Sequence, residues 1–299
     1  RPARKQESEL LEQFHMDIAA SLQAVTEEVV LTITRALYAE YGIPNLCLAG
    51  GVALNCVANG KILRDGAFSN LWIQPAAGDA GGAIGAALAV NYRELGATRT
   101  VDRADSMSGA FLGPAFDDDE VDADLRSCGA VFETVDEGKM IGLTADALAD
   151  GKAVGWFQGR MEFGPRALGG RSILADPRSD SMQRTLNLKV KFRESFRPFA
   201  PSVLAEDVDK YFQLDSSSPY MLIVADVNED LRISETGEEV QLFGIERLNV
   251  ARSTIPAVTH VDHSARIQTV HNETNPRYHA LLKAFRERTG CSVLVNTSF

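Results

Sequence analysis

The sequence predicts an α/β region followed by a mixed α+β region. The length of 299 residues corresponds to about two domains at ~100–200 residues each. A short apolar run, a glycine-containing loop and a helical pattern occur twice in succession within residues 45–95. Beyond that segment, strand-like and helical runs are mixed, and 45% of the chain is hydrophobic, which is typical of a globular protein with sizeable cores.

The first predicted element is a long amphipathic helix. Apolar residues recur at three- and four-residue steps from Leu11 to Leu37, which is the spacing of one helix face. Gly42 and Pro44 end the pattern.

Two strand–loop–helix units follow. Their strands are NLCLA (45–49) and NLWIQ (70–74), and their helices are VALNCVANGKIL (52–63) and AIGAALAVNYREL (83–95). Glycines let a loop pass close to phosphates, and the start of a helix presents free N–H groups to an anion. Neither loop is a Walker or dinucleotide fingerprint, however, and paired glycines more often serve as structural tight turns.

A polar segment at 97–119 is predicted to separate the first domain, 1–105, from the second, 106–299. Helices are predicted at 119–128, 138–151, about 180–190 and 276–289, a turn at 197–202, and strands at 152–158, 220–227, 255–261, 265–270 and 291–295. Within the strand at 152–158, we expect Trp156 and Phe157 to be core residues and not a base-stacking platform.

Overall charge and cysteine content exclude several classes of protein. Thirty Lys and Arg against 41 Asp and Glu give a net charge of −11, which argues against a nucleic-acid partner. The four cysteines show no CxxC spacing, so we expect neither a zinc knuckle nor a disulfide framework. No run approaches ~18 apolar residues and no signal-peptide pattern is present, so we expect no membrane partner and a cytoplasmic location.

A basic segment at 159–201 stands out in this acidic chain. It contains nine of the thirty Lys and Arg residues: Arg160, Arg166, Arg171, Arg178, Arg184, Lys189, Lys191, Arg193 and Arg197. Interleaved glycines and prolines allow close approach of the backbone to a ligand. Guanidinium and ammonium groups suit a small phosphorylated molecule. The alternative is a solvated basic strip that nearby carboxylates neutralise.

Several motifs in order resemble the carbamoyltransferases of the NodU/CmcH family, which act on nodulation-factor sugars and antibiotics. They are LAGGVALNCVANGKI, PAAGDAGGAIGAAL, GRMEFGPRALGGRSILADPR, KFRESFRPFAP, PAVTHVD with ARIQTV, and VNTSF. The resemblance covers residues from about 15 to 299.

This resemblance implies a fold and a two-step activity. Residues 1–105 would be the C-terminal part of an actin and sugar-kinase-like (ASKHA) domain, and 106–299 a YrdC-like domain. The YrdC-like domain would convert carbamoyl phosphate and ATP, with Mg2+, into carbamoyl adenylate. The ASKHA domain, with Fe2+, would pass the carbamoyl group to a hydroxyl-bearing small-molecule acceptor. Because the chain starts without Met and stops directly after an apolar run, we expect a fragment of a longer protein.

The same resemblance implies the site residues. Arg166, Lys191 and Arg193 are expected to be catalytic, and Asp79 is expected to bind the metal, although its position at a helix start also suits a cap. The expected ATP and carbamoyl phosphate contacts are Gly50, Gly51, Asn55, Gly81, Gly82, Arg160, Lys189, Arg197, Asn296 and Ser298. For Asn296 and Ser298, a plain turn-forming role is the alternative. The family's HxxxH ligand pair has no counterpart among the five histidines.

Other interpretations remain open. The chain is alternatively a non-catalytic nucleotide-binding module, or a sugar-kinase-like phosphotransferase, which would leave the basic second domain unexplained. His260 and His263 would lie on opposite faces of a predicted strand, which argues against a zinc pair. We expect His263 to face solvent.

Overall fold

The computed structural model describes residues 11–299 apart from 102–104, 196, 235, 238, 243–246 and 249. Its first elements are α1 (Gln13–Tyr41), β1 (Asn45–Leu48), α2 (Cys56–Asp65), β2 (Asn70–Ile73) and α3 (Asp79–Ala89). The strands β1 and β2 are parallel, with Asn45 opposite Asn70. Both predicted strand–loop–helix units are therefore confirmed, and α1 is followed by its C-cap residue Gly42, whose φ of 64° is left-handed.

Helix α1 packs on α2 through apolar and polar side chains, and its half-buried Val30 and Leu31 contact the small hydrophobic cluster that includes Ile62 of α2. Glu27 is buried and forms an ion pair with Lys61, and Gln23 exchanges hydrogen bonds with Asn55. The apolar stripe of α1, which includes Leu22, is instead exposed, and no described residue covers it. The periodic pattern therefore predicts the helix correctly, but its apolar face is not part of the described core.

The second part of the chain is a six-stranded sheet with helices. The strands are β3 (Val154–Phe157), β4 (Arg171–Ala175), β5 (Ala200–Leu204), β6 (Ile223–Asp226), β7 (Ser264–Val270) and β8 (Val293–Thr297). The helices are α4 (Asp118–Ser127), α5 (Glu137–Ala149), α6 (Met182–Thr185), α7 (Val208–Tyr211) and α8 (Pro276–Thr289). The strand order is β3-β4-β8-β5-β7-β6, antiparallel except for the parallel pair β5 and β7.

The core of this part lies between the sheet and the paired helices α5 and α8. Leu148 on α5 and Tyr278, Leu281 and Phe285 on α8 are fully buried. Trp156 is buried as predicted, so the inner face of the sheet is closed by large side chains on both layers.

Helix α2 joins the two parts by packing against β6. The buried side chain of Asn59 donates to the carbonyl of Leu222 at 2.9 Å. A Cβ at Gly60 would lie 2.1 Å from the carbonyl oxygen of Val224, so only glycine permits this approach. Farther along, Asp105 accepts a hydrogen bond from the hydroxyl of Tyr220. The division into 1–105 and 106–299 remains a prediction.

Three local predictions are wrong. Residues 255–261 are not a strand, because Pro256 begins a short 3₁₀ helix, Pro256–Val258. The predicted turn at 197–202 extends into β5, a central strand. Phe157 is 57% exposed and not a core residue, and the Arg171 guanidinium lies 3.4 Å from the centre of its ring.

Candidate functional site

Four arginines meet at a cavity of about 290 Å³ between the basic segment and the sheet. They are Arg166, Arg193, Arg197 and Arg266. The remaining lining residues are apolar or uncharged: Pro165, Ala167, Pro198, Phe199, Ala200, Met221, Asn296, Thr297 and Ser298. Within the described chain, no carboxylate lines the cavity. Its volume is near the lower end of small-molecule sites, ~300–1,000 Å³, which suits a small anion better than a whole nucleotide.

The sheet register places the floor of the cavity. Ala200 on β5 is opposite Asn296 on β8. Ser202 is opposite Gln268 on β7, so Arg266, two residues earlier, lies level with Ala200 on the other side. Residues opposite one another on neighbouring strands share a face. Asn296 and Arg266 therefore flank the small side chain of Ala200, and the space above it is the cavity.

The loop from 162 to 171 carries Arg166. The buried carboxylate of Glu162 accepts hydrogen bonds from the backbone of Leu168 and Gly170, both at 2.7 Å. Gly164 has a φ of 143°, and a Cβ there would lie 3.0 Å from the carbonyl oxygen of Pro75. The loop is thus pressed against the glycine loop that begins α3.

Arg166 also reaches the first glycine loop. Its guanidinium lies 3.4 Å from the carbonyl oxygen of Leu54, at the end of the 3₁₀ turn Gly51–Leu54. Gly50 has a φ of 95°, and its N–H donates to Ala77 at 2.9 Å. Both glycine loops and the basic loop therefore meet beside the cavity.

Asn187 orders the loop that carries Arg193 and Arg197. Its buried side chain accepts a hydrogen bond from Nε of Arg193 at 2.7 Å and donates to the carbonyl of Arg197 at 2.8 Å. The Arg193 guanidinium also lies 5.1 Å from the ring centre of Phe199. Arg193 is thereby directed towards the cavity.

Lys191 does not line the cavity but lies at its rim, in contact with Ser298, which does line it. Its ammonium group donates to the carbonyl of Ser298 and lies 3.3 Å from the Ser298 hydroxyl. Burial, together with the charge of Arg193, lowers the pKa of Lys191. The terminal turn that contains Ser298 is thus attached to the basic loop.

The charges of the cavity are only partly compensated. Burial lowers the pKa of Arg166, and burial with the nearby charges of Arg166 and Arg193 lowers the pKa of Arg266 to about 10. Arg266 remains a cation at neutral pH. Arg197 pairs with Glu194 at 3.0 Å, but Arg166 and Arg266 have no carboxylate partner among the described residues. Such a cluster favours binding of an anion.

Two of the predicted basic residues lie elsewhere. Arg160 lines a separate cavity of about 540 Å³ with Gln158 and Arg277, and donates to the carbonyl of Gly113 at 3.1 Å. Lys189 is exposed on the helical segment 186–190 and does not line the four-arginine cavity.

The predicted residues of the first part lie in its glycine loops. The side chain of Asn55 caps α2 by accepting from Ala58 at 3.1 Å. Gly81 and Gly82 are within the first turns of α3, which starts four residues before the predicted helix. Gly82 is unobstructed, whereas a Cβ at Gly81 would lie 2.1 Å from the carbonyl oxygen of Ala76.

Asp79 is the first residue of α3 and is exposed. The preceding Gly78 occupies the N-cap position. In the described part of the chain, no three His, Cys, Asp or Glu residues are grouped to hold a metal ion. A transition-metal site usually takes three or more protein ligands, so the described residues do not form a complete iron site around Asp79. His260 and His263 lie in a turn and not on the predicted strand. His263, predicted to face solvent, is instead half-buried with Nδ1 inaccessible, and its φ of 63° is left-handed.

Three residues of the site are not identified by sequence reasoning. Glu162 and Asn187 act through the loops that they order, and neither is basic. Arg266 lies in the predicted strand ARIQTV, far from the basic segment. Its alternation with Gln268 in that strand is the available signal, because it places both polar side chains on one face.

Two family models match the chain. The model described as Carbamoyltransferase N-terminus matches residues 2–88, and the model described as Carbamoyltransferase C-terminus matches residues 145–299. The chain belongs to the carbamoyltransferase family. The second match includes all four arginines of the cavity.

Similar proteins support this membership. The chain is 61% identical over 300 residues to the uncharacterized protein sll1178 of Synechocystis sp., covering 100% of the chain and 49% of that protein. It is 43% identical to nodulation protein NolNO of Sinorhizobium fredii, covering 96% of the chain and 39% of that protein. It is 35% identical to the 3'-hydroxymethylcephem-O-carbamoyltransferase of Streptomyces clavuligerus, covering 94% and 47%.

The chain thus spans about half the length, or less, of these relatives. None of the described helices is both long enough and apolar enough to cross a membrane.

Proposed function

We propose that this chain is part of an ATP-dependent O-carbamoyltransferase whose four-arginine cavity binds carbamoyl phosphate and phosphates of ATP. The observation that carries this proposal is the convergence of Arg166, Arg193, Arg197 and Arg266 on one cavity that no described carboxylate lines. Membership of the carbamoyltransferase family supplies the chemical class of the transferred group.

The proposed reaction has two stages, which are the formation of carbamoyl adenylate and the transfer of its carbamoyl group to the acceptor. Water cleaves carbamoyl phosphate into carbamate and phosphate, and a carbamate oxygen then attacks the α-phosphorus of ATP. The bond to pyrophosphate breaks, and carbamoyl adenylate is left. An acceptor hydroxyl finally attacks the carbamoyl carbon, loses its proton, and displaces AMP. No nucleophilic side chain is needed, because positioning and charge stabilisation carry the first stage.

The cavity residues have distinct proposed roles. Arg166 and Arg193 are fixed by their loops and stabilise negative charge as phosphate leaves. Lys191 is held at the rim by Ser298, where a mobile phosphate or pyrophosphate would pass. Arg197 and Arg266 neutralise the negative charge of the bound carbamoyl phosphate. Because the cavity is small, the nucleoside of ATP would lie outside it, towards the glycine loops at Gly50 and Gly81.

The domain assignment is part of this proposal. Residues 1–105 would belong to an ASKHA-type transfer domain, and 106–299 to a YrdC-like domain. The two parallel strand–loop–helix units support the first assignment. The mixed sheet with basic loops at its strand ends supports the second.

The metals and the location are also proposed. Magnesium would bind through the phosphates of ATP and neutralise their charge. Asp79 is proposed as one ligand of Fe2+, but no step is derived through iron, because the described residues do not complete such a site. Four free cysteines support a reducing, cytoplasmic location.

The test measures phosphate release from carbamoyl phosphate and pyrophosphate release from ATP, in this chain and in its full-length parent. We expect one pyrophosphate for each carbamoyl adenylate. The double variant Lys191→Ala with Arg193→Ala should lower turnover by at least about 100-fold. Arg184→Ala removes an exposed charge of the same segment outside the cavity and should leave turnover unchanged.

Other outcomes identify the alternatives. ATP binding without turnover, unaffected by the double variant, would indicate a non-catalytic nucleotide-binding module. Release of ADP with phosphorylation of the acceptor would indicate a sugar-kinase-like phosphotransferase. Failure of both chain and parent to consume carbamoyl phosphate would rule out the proposed reaction.

A further inference from the structure

The side-chain amide nitrogen of Asn296 donates hydrogen bonds within the protein, whereas the amide oxygen accepts none. The residue is 1% exposed and lines the four-arginine cavity. Its Nδ2 shares its two hydrogens among three acceptors: the carbonyl of Ala167 at 3.0 Å, the Ser202 hydroxyl at 3.0 Å and Oε1 of Gln268 at 2.8 Å. Its Oδ1 is buried and has no hydrogen-bond partner. A buried acceptor without a donor is uncommon in folded proteins.

The orientation of this amide is fixed by its neighbours. Nε2 of Gln268 donates to the carbonyl of Leu168 at 2.8 Å, so Oε1 of Gln268 must face Asn296. Rotating the Asn296 amide by half a turn would place its oxygen against that oxygen and against the carbonyl of Ala167. Such an arrangement brings acceptors together without a hydrogen. Oδ1 is therefore the atom that remains available to a ligand.

A matching donor lines the same cavity. Nε of Arg166 is also buried without a hydrogen-bond partner. A ligand that satisfies both groups must offer an N–H to Asn296 and an oxygen to Arg166. A carbamoyl group offers both within one planar unit, because its carbon carries an amino group beside the carbonyl oxygen. An acetyl group has a methyl in place of that amino group.

We propose that Oδ1 of Asn296 accepts a hydrogen bond from the amino group of the carbamoyl donor and makes the cavity select carbamoyl over acyl phosphates. This inference rests on the proposed function. The arginines bind any compact phosphate, because charge does not distinguish an amino group from a methyl. Asn296 supplies that distinction, because a methyl group would leave Oδ1 buried and unpaired.

The experiment compares two stable ligands that differ only in this group. Phosphonoacetamide carries the amino group and acetonylphosphonate carries a methyl in the same place. Calorimetric titration of the wild-type chain should show about 10- to 100-fold tighter binding of phosphonoacetamide. In Asn296→Ala we expect this preference to fall to within about threefold, with the affinity for inorganic phosphate little changed.

Ser202→Ala is the matched control. It removes two hydrogen bonds of the buried network, the one that the Ser202 hydroxyl accepts from Asn296 and the one that it donates to Gln268, but it leaves Oδ1 of Asn296 in place, held by Ala167 and Gln268. This variant should keep the preference for phosphonoacetamide. Asn296→Leu, which keeps the branching and the number of heavy atoms of the side chain, replaces the alanine variant if that variant does not fold.

The outcomes separate the inference from the proposed function. Equal binding of the two phosphonates by the wild-type chain, or a preference that survives in Asn296→Ala, would overturn the role of Asn296. The proposed function would still stand if carbamoyl phosphate is consumed. Absence of binding to inorganic phosphate and to both phosphonates would overturn the cavity as a phosphate site, and the inference with it.

Discussion

The carboxylate of Glu162 and the backbone nitrogen of Gly170 are 2.7 Å apart, although the two residues are eight positions apart in the chain. The same oxygen accepts from Leu168 and Arg171. A Cβ at Gly170 would lie 3.1 Å from the Glu162 carboxylate, so the loop closes tightly around this side chain. Glu162 thereby fixes the loop that carries Arg166 into the cavity.

Replacement of Glu162 should destabilise the protein and weaken its anion site together. Hydrogen bonds to a charged group contribute about 1.5–3 kcal/mol. We expect Glu162→Gln, which keeps an acceptor but loses the charge, to lower the free energy of unfolding by about 1–2 kcal/mol, and Glu162→Ala by about 3 kcal/mol or more. Urea unfolding measures this. Glu137→Gln is the control, because Glu137 is exposed at the start of α5, and equal stability of all variants would contradict the role assigned to Glu162.

Gly81 and Gly82 give a matched pair within α3. A Cβ at Gly81 would overlap the carbonyl oxygen of Ala76 at 2.1 Å, whereas one at Gly82 meets nothing within 4 Å. Gly81→Ala should therefore lower the free energy of unfolding by about 2 kcal/mol or more. Gly82→Ala should leave it unchanged or raise it by up to about 1 kcal/mol, because alanine favours the helix. Thermal unfolding distinguishes the two, and equal effects would show that α3 is placed differently.

Elements with strong local end signals are predictable from the sequence. Helix α8 follows its prediction closely because its ends are marked on both sides. The side chain of Asn275 accepts from Tyr278 at its start, and Gly290 has a left-handed φ of 75° at its end. The short strands β1 and β2 are predictable because each is an apolar run that a glycine loop ends.

Strands that depend on distant partners are not predictable in this way. Strand β4 lies inside the basic segment, and β5 contains Pro201, which normally argues against a central strand. Proline is tolerated there because the pairing of β5 with β7 begins only at Ser202. Both strands pair with β8, in the last residues of the chain, so no local pattern reveals them.

The candidate site shows the same limit. Arg166, Arg193 and Arg197 are close in sequence and their shared cavity follows from one basic segment. Arg266 is brought to the cavity only by the pairing of β7 with β5. Arg160 is near Arg166 in sequence, yet it lines another cavity. Local sequence therefore predicts the charge of the site but not its full set of residues.

Arg266 should destabilise the protein when no anion is bound and stabilise it when an anion is bound. Burial and two neighbouring arginines lower its pKa to about 10, so its charge is unfavourable in the folded chain. We expect Arg266→Met to be as stable as the wild-type chain, or more stable by up to about 1 kcal/mol, without phosphate. Saturating phosphate should raise the melting temperature of the wild-type chain but hardly that of the variant.

Arg184→Met is the control for this prediction, because Arg184 is exposed and outside the cavity. It should respond to phosphate like the wild-type chain. A destabilised Arg266→Met variant that keeps the full phosphate response would show that Arg266 has a structural role instead.

The free energy of unfolding at acidic pH should depend on the ionisation of Asp207. Burial disfavours its charged form, but hydrogen bonds from Lys210, Ser292 and Arg286 outweigh that effect and lower the pKa of Asp207 from 3.8 to about 2. A carboxyl whose pKa is lower in the folded state stabilises the fold above its unfolded pKa. That contribution, about 2 kcal/mol, is lost as the pH falls from about 4 to about 2. Asp207→Asn should therefore be less stable than the wild-type chain at pH near 6, and the difference should shrink towards about pH 2.

The measurement is the free energy of unfolding in urea across this pH range. Asp146→Asn on α5 serves as the control, because the side chain of Asp146 is 61% exposed. It should follow the wild-type curve closely, since exposed ion pairs contribute about 0–1 kcal/mol. If Asp207→Asn and the wild-type chain lost the same free energy between about pH 6 and pH 2, the hydrogen bonds at Asp207 would not stabilise its charge. The link that they form between α8 and the start of β8 would then be held by packing alone.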